Sequence, residues 1–157
     1  QGMQPIVGFN YGAKQYKRTI DALKLTIFCA TAVTTTGFIL AEFFPKAISM
    51  VFTTDDELIQ HSIAGMRIVF ACFPIIGFQI VAGNFFQSVG MAAKSVFMSL
   101  TRQLIFLLPG LLILPTYIGT NGIWMSMPIA DGLSSMIAFI LLYKQIKKFK
   151  KIEQYGN

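Results

Sequence analysis

Long apolar stretches alternate with short polar ones along the chain. Asp, Glu, Lys and Arg are absent from residues 25–41, 68–93 and 103–130. A helix needs about 17 to 25 mostly apolar residues to cross the hydrocarbon core of a bilayer, and each stretch reaches that length. The pattern therefore predicts an all-α polytopic membrane protein.

Polar residues and prolines divide these stretches into four predicted spans. The spans are expected at 19–44, 58–89, 95–115 and 123–143. They are separated by 45–57, 90–94 and 116–122, preceded by 1–18 and followed by a basic tail at 144–157. Residues 1–18 are interpreted as the end of an upstream helix and a loop. Thr54 precedes three acidic residues and is expected to cap the second span.

Four prolines are expected to shape these spans. Pro74, Pro109 and Pro128 fall inside the second, third and fourth spans, and Pro115 is expected to end the third. Proline has no N–H and kinks a helix, which neighbouring helices in a membrane tolerate. The three internal prolines are therefore predicted flex points.

The basic residues predict an orientation. Most Lys and Arg lie in 14–24, 94–102 and 144–151, whereas 45–57 and 116–122 together contain only Lys46. Cytoplasmic loops of membrane proteins carry an excess of Lys and Arg. The amino-terminal loop, the loop at 90–94 and the tail are therefore expected in the cytoplasm, and 45–57 and 116–122 outside.

Composition excludes several classes of function. Charged residues make up 13% of the 157 residues, hydrophobic residues 54%, and the mean hydropathy is +0.61. The net charge of +6 sits between the spans, so no nucleic-acid partner is expected. His61 is the single histidine, which excludes a His–His zinc motif, and Cys29 and Cys72 are expected to be small core residues. No metal, no cofactor and no enzymatic site is predicted.

A polar line along the second span is the first candidate site. Gln79, Gly83 and Gln87 stand at i, i+4 and i+8, with Asn84 beside them, so they share one helix face. In a membrane such a face points into the helix bundle. It either bonds to neighbouring helices or lines a substrate cavity.

Arg67, Arg102 and Asp131 lie two or more turns inside predicted spans, where a charge is costly and often functional. Arg67 is a further candidate for the cavity. The alternative for Arg67 and for Arg102 is snorkelling to an interface or pairing with a neighbour. Asp131 is the candidate for ion coupling, with a structural hydrogen bond near Pro128 as the alternative.

Several stretches together resemble the multidrug and toxic compound extrusion (MATE) transporters. The amino-terminal sequence GMQPIVGFNYGAK at 2–14 is similar to the end of the eighth helix of that family and the loop after it. The other similar stretches are 52–59, 73–79 with Arg67, 85–90, 100–103, 112–115, 121–124 and 128–131. They follow in order up to the twelfth helix.

The resemblance implies a fold and a function. The chain, which starts at Gln1, would be part of the second six-helix bundle of a twelve-helix transporter. That protein would export organic cations and other amphiphilic drugs from a bacterium in exchange for sodium ions or protons, by alternating access. Its partners would be membrane lipid and the amino-terminal bundle of the same chain, in the inner membrane.

One departure from the family pattern bears on the coupling ion. Some sodium-coupled members carry an acidic residue in the tenth helix, and residues 58–87 contain none. This places the expected coupling site in the amino-terminal bundle and leaves Asp131 as the candidate within this chain.

Three alternatives to an exporter stay open. A flippase for lipid-linked oligosaccharides of the same superfamily would need several positive charges in its cavity, and only Arg67 and Arg102 are available. A membrane-embedded enzyme would need paired acids or histidines at depth. A structural subunit would have little use for interrupted helices and a polar line.

Overall fold

The computed structural model describes residues 1–155, with the backbone alone for Tyr155, and these residues are almost entirely helical. The helices are α1 (Met3–Gly12), α2 (Tyr16–Phe43), α3 (Pro45–Met50), α4 (Asp56–Phe70), α5 (Phe73–Ser88), α6 (Ala92–Leu100), a π-helix (Thr101–Leu107), α7 (Leu108–Ile118) and α8 (Thr120–Tyr155). The all-α prediction is confirmed.

Three helical segments are long and apolar enough to cross a membrane. They are Tyr16–Phe43, Ala92–Ile118 and Thr120–Gln154. Helices α4 and α5 pass the same test together as a fourth segment, which is bent by 50°. Apart from the short helices α1 and α3, the described part of the chain therefore consists of membrane-span candidates joined by short connections.

The bend between α4 and α5 lies at Ala71 and Cys72, just before Pro74. Pro74 lacks an N–H and cannot bond to the carbonyl of Phe70, so the helix restarts instead of continuing. The start of α4 differs from the expectation. Asp55, not Thr54, is the cap residue, and its side chain accepts hydrogen bonds from the N–H groups of Glu57 and Leu58.

The third span changes its helical register in the middle. The seven-residue π-helix lies directly before α7, whose second residue is Pro109. The missing N–H of Pro109 removes one α-helical bond from that turn. The chain then continues as α7 past Pro115, where the sequence predicted the end of the span, to Ile118. Gly119 ends it with a φ of +58°, a conformation that favours glycine.

Helix α8 continues far beyond the predicted span. Residues 144–155 extend the same helix, although the sequence placed a basic tail there. Lys, Gln and Glu are good helix formers, and Phe149 is fully buried and fixes the extension to the bundle. Residues 156 and 157 of the predicted tail lie outside the described residues.

The tightest packing is at one end of the bundle, here called the packed end. It joins α1, the start of α2, the end of α5 and the end of α8. The rings of Phe85 and Phe149 lie 6.2 Å apart, and Tyr11 and Tyr16 lie 5.4 and 5.2 Å from Phe149. The buried cluster consists of Met3, Val7, Ile20, Leu23, Val81, Ala82, Phe85, Phe86, Val89, Met98, Ala138, Leu142 and Phe149.

The opposite end, here called the open end, holds α3, the start of α4 and the junction of α7 with α8. Helix α7 contains no buried residue. Close contact occurs where glycines admit a neighbour. A Cβ on Gly65 would lie 2.9 Å from the ring of Trp124, and a Cβ on Gly122 would lie 2.5 Å from the carbonyl carbon of Leu114. Small residues allow this approach of helices in membranes.

Candidate functional site

A polar cleft of about 200 Å³ lies between α5 and the segment formed by α6 and the π-helix. Gly90 brings the two walls together, because its φ of +74° lets the chain reverse within three residues. The cleft is lined by Ile76, Gln79, Ile80, Gly83, Asn84, Gln87, Ser95, Met98, Ser99 and Arg102.

The wall from α5 is the polar line that the sequence singles out. Gln79 is buried, Asn84 is partly buried and Gln87 is exposed, so the face becomes more open toward the packed end. Gly83 lies between them, and a Cβ there would meet Ser95 Oγ at 3.8 Å, an ordinary contact. The cleft width at this level is therefore compatible with a small side chain.

Helix α1 contacts the α5 wall of the cleft through the side-chain amide of Gln4. Gln4 Nε2 donates to Asn84 Oδ1 at 3.4 Å and to Gln87 Oε1 at 3.3 Å. These are long, weak hydrogen bonds. The three amides form a network that a ligand carrying its own donors or acceptors can enter.

An ion pair adjoins the other wall of the cleft. Arg102 Nε donates to Asp131 Oδ1 at 2.6 Å. The side chain of Asp131 is 4% exposed and that of Arg102 is 38% exposed. Arg102 thus reaches the cleft while Asp131 is buried behind it in α8. Ser134, one turn further along α8, is buried beside Asp131 and donates to its carbonyl.

The predicted candidates fall into three places. Gln79, Asn84 and Gln87 lie together on the cleft. Asp131 does not line it but pairs with Arg102, which does. Arg67 lies in the last turn of α4, away from the cleft, with its Nε 3.6 Å from Glu42 Oε1. Arg67 and Asp131 therefore do not share a wall with the three amides.

Sequence reasoning missed the second wall. Ser95, Ser99 and Arg102 stand at i, i+4 and i+7 in the third span, which is one helix face. The same test that found the line on α5 would have found this one. The contribution of Gln4 carries no such signal, because the contact joins residues eighty positions apart.

Solved structures share the fold. A ligand complex of the MATE multidrug transporter DinF-BH is 46% identical, with a TM-score of 0.85 over 90% of this chain and 32% of that one. An inward-facing multidrug resistance MATE family transporter of the MOP superfamily is 19% identical, with a TM-score of 0.86 over 95% and 35%. This second likeness shows the fold alone.

Among curated proteins, a FAD transporter of Shewanella oneidensis is 24% identical over 140 residues, which are 88% of this chain and 31% of the relative. The chain spans about a third of the length of these relatives. The MatE family profile matches residues 1–112, well over half of the 157 residues. The chain therefore belongs to the MATE family, whose members are transporters and not enzymes.

Proposed function

We propose that this chain is part of a secondary active multidrug antiporter, which exports organic cations and other amphiphiles in exchange for sodium ions or protons. The polar cleft on α5 and α6 carries the proposal. It lies in a chain of membrane-span candidates that is 46% identical to a MATE multidrug transporter solved with a bound drug ligand. Polar side chains inside a membrane span cost free energy unless they bond to neighbouring helices or line a cavity.

The lining of the cleft fits a broad range of amphiphiles. Ile76, Ile80 and Met98 give it apolar surface, and amides and hydroxyls lie among them. Methionine adapts its shape, and amide and hydroxyl groups both donate and accept hydrogen bonds. Such surfaces favour many ligands over one. In the proposed transporter, the amino-terminal bundle of the same chain supplies the facing wall.

Alternating access is supported by the two breaks in the helices. The bend of 50° before α5 and the π-helix before α7 both adjoin the walls of the cleft. Discontinuous helices of this kind frequently surround transporter sites. Pro109→Ala restores the missing N–H and favours an α-helical register, so transport by the full-length protein is expected to slow. Unchanged turnover at an equal amount inserted in the membrane contradicts this role.

Asp131 is proposed as the ion-coupling residue of this chain. It is a buried carboxylate close to the middle of its span, and Arg102 occupies one of its oxygens. A sodium ion or proton that reaches Asp131 competes with Arg102 for that oxygen. Asp131→Asn is therefore expected to abolish gradient-driven transport while the protein still inserts and folds. Wild-type transport by the variant removes Asp131 from the mechanism.

The proposed location is a bacterial inner membrane, with the packed end and the end of α8 in the cytoplasm. Exposed lysines at 147, 148, 150 and 151 support this orientation, since basic residues stay inside. A reporter that matures only outside the cytoplasm, fused after α8, is expected to stay inactive. An active reporter reverses the orientation.

The flippase alternative is less well supported. A carrier of lipid diphosphates needs unpaired positive charge, whereas Arg67 pairs with Glu42 and Arg102 with Asp131. The relative named a FAD transporter makes an anionic dinucleotide a useful second substrate in the assay below. Its uptake, without uptake of a cationic dye, would favour an anion carrier.

The deciding experiment is uptake of a fluorescent organic cation into inverted vesicles containing the full-length protein. Sodium and proton gradients are imposed separately, and uptake under one of them is expected. Gln79→Leu removes a buried amide from the cleft and should reduce uptake. Gln103→Leu is the matched control, because Gln103 is exposed and does not line the cleft. No uptake under either gradient contradicts the proposal.

A further inference from the structure

Arg102 presents unused hydrogen-bond donors to the cleft. A guanidinium has five N–H groups, and within residues 1–155 the structure records one hydrogen bond from Arg102, from Nε to Asp131. The terminal nitrogens belong to a side chain that is 38% exposed and lines the cleft. The outer edge of this guanidinium is therefore available to a ligand.

The Arg102–Asp131 pair lies deep in the predicted membrane, where leaving N–H groups of Arg102 without a partner costs free energy. Arg102 lies ten residues from the start of α6, about 15 Å along the helix, and Asp131 lies about 16 Å from the start of α8. Both positions are near the middle of their spans. An arginine that served structure alone would be enclosed by partners at this depth. Here only the carboxylate is enclosed, while the cation projects into a polar cleft.

The other groups on the cleft match an oxygen acceptor. Ser95 and Ser99 line the same wall as Arg102, two turns and one turn before it. Their hydroxyls and the amides of Gln79 and Asn84 donate hydrogen bonds as well as accept them. Planar guanidinium groups recognise carboxylates with two parallel hydrogen bonds. The cleft can thus bind one carboxylate at Arg102, and Asp131 orients the guanidinium group by its hydrogen bond to Nε.

We infer that Arg102 anchors the carboxylate of zwitterionic amphiphiles in this cleft. The Arg102–Asp131 pair has no net charge, so a lone anion would leave a net negative charge at low dielectric constant. A zwitterion brings its own cation and keeps the site neutral. A diphosphate brings two or more negative charges that one paired guanidinium does not balance. The inference rests on the proposed export function and narrows its substrates.

The test uses two dyes that differ in one charge. A rhodamine ester carries a positive charge alone, and the corresponding free acid is zwitterionic. Uptake of both is measured in inverted vesicles with the full-length protein, and the ratio of free acid to ester is the readout. Arg102→Gln is expected to lower this ratio about tenfold or more, the size of a lost charged hydrogen bond. Arg102→Lys keeps the positive charge but loses the planar guanidinium. Its ratio of free acid to ester is expected to lie between those of the wild type and Arg102→Gln.

A second variant guards against misfolding. Arg102→Gln alone leaves Asp131 buried without a partner, whereas Arg102→Gln with Asp131→Asn removes both charges. The double variant should also lose the free acid preferentially. The same ratio is measured as equilibrium binding by fluorescence polarisation on purified full-length protein, so a variant that no longer transports still reports it.

The outcomes separate the two proposals. Wild-type protein that transports neither dye under either gradient contradicts the export function. Wild-type protein that transports the ester, with an unchanged free acid to ester ratio in both variants, overturns the role of Arg102. A ratio that falls in both variants, in uptake or in binding, establishes the carboxylate anchor.

Discussion

The packed end and the open end of the bundle are built differently. At the packed end four helices meet around Phe85, Phe86 and Phe149, which are almost completely buried. At the open end, α7 buries no residue and the contacts depend on glycines that admit a neighbour. Large buried side chains therefore hold one end together. The other end depends on neighbours that glycines admit, the Trp124 ring at Gly65 and the Leu114 backbone at Gly122.

The two ends differ in how their apolar side chains are packed. Side-chain packing buries a large apolar cluster at the packed end, although Ile6 and Phe9 of α1 stay exposed there. The open end has no such cluster and exposes apolar side chains such as Leu112, Ile113 and Ile118. In a membrane these face lipid or other helices, since lipid is as apolar as leucine. Mutations should therefore affect the two ends through different mechanisms.

The largest expected effect is loss of a ring at the packed end. Phe85→Ala should lower the free energy of unfolding by about 3 kcal/mol, because it deletes a ring with no solvent or lipid exposure. The measurement is thermal unfolding of the full-length protein in detergent. Phe97→Ala, on α6 and 52% exposed, is the matched control and should change little. Equal effects of the two would contradict the view that buried rings stabilise the packed end.

A smaller effect is expected from a methyl group at the open end. A Cβ on Gly122 would overlap the backbone of Leu114, and backbone yields less than a side-chain tip. Gly122→Ala should destabilise the protein by about 1 to 3 kcal/mol. Gly132→Ala lies on the same helix with nothing within 4 Å of the added Cβ. Gly132→Ala should raise the free energy of unfolding by about 0.5 kcal/mol or slightly more. The expected result is therefore that the two substitutions change the free energy of unfolding in opposite directions.

The smallest effect is expected at the exposed ion pair. Arg67 and Glu42 are 3.6 Å apart, with side chains 54% and 39% exposed. Exposed pairs contribute about 0 to 1 kcal/mol, so Arg67→Gln should change the unfolding temperature little. A loss comparable to that of Phe85→Ala would mean that Arg67 is enclosed in the whole protein, and would return it to the substrate cavity as a candidate.

The hydrophobic pattern was sufficient for the fold class but not for the internal breaks. Uniform apolar stretches of this length form helices in a membrane, so the all-α prediction followed from the length and spacing of those stretches. The π-helix before Pro109 and the continuation past Pro115 depend on how neighbouring helices accept a lost hydrogen bond, which no local pattern contains. A proline in the sequence shows where a backbone hydrogen bond is lost. Packing against neighbouring helices decides whether the helix then bends, changes register or continues.

In the candidate site, too, the sequence predicted which residues share one helix face but not which residues meet between helices. The amides on α5 share a helix face, so their spacing alone placed them together. Arg102 and Asp131 are twenty-nine positions apart in the sequence and lie on different helical segments. Glu42, the partner of Arg67, lies on α2, and Arg67 lies on α4. Such contacts follow from the order and tilt of helices, which helical periodicity does not specify.

The length of α8 has a mechanical consequence. The helix runs from Asp131 to Tyr155 without a proline, a rod of about 36 Å. A tilt of about 10° around Asp131 displaces its far end by about 6 Å in a rod of that length. Phe149 ties this arm to Tyr11 and Tyr16. A rigid tilt of that size would move Phe149, about 27 Å from Asp131, by about 5 Å. The junction of α1 and α2, which Phe149 contacts, would then have to move with it.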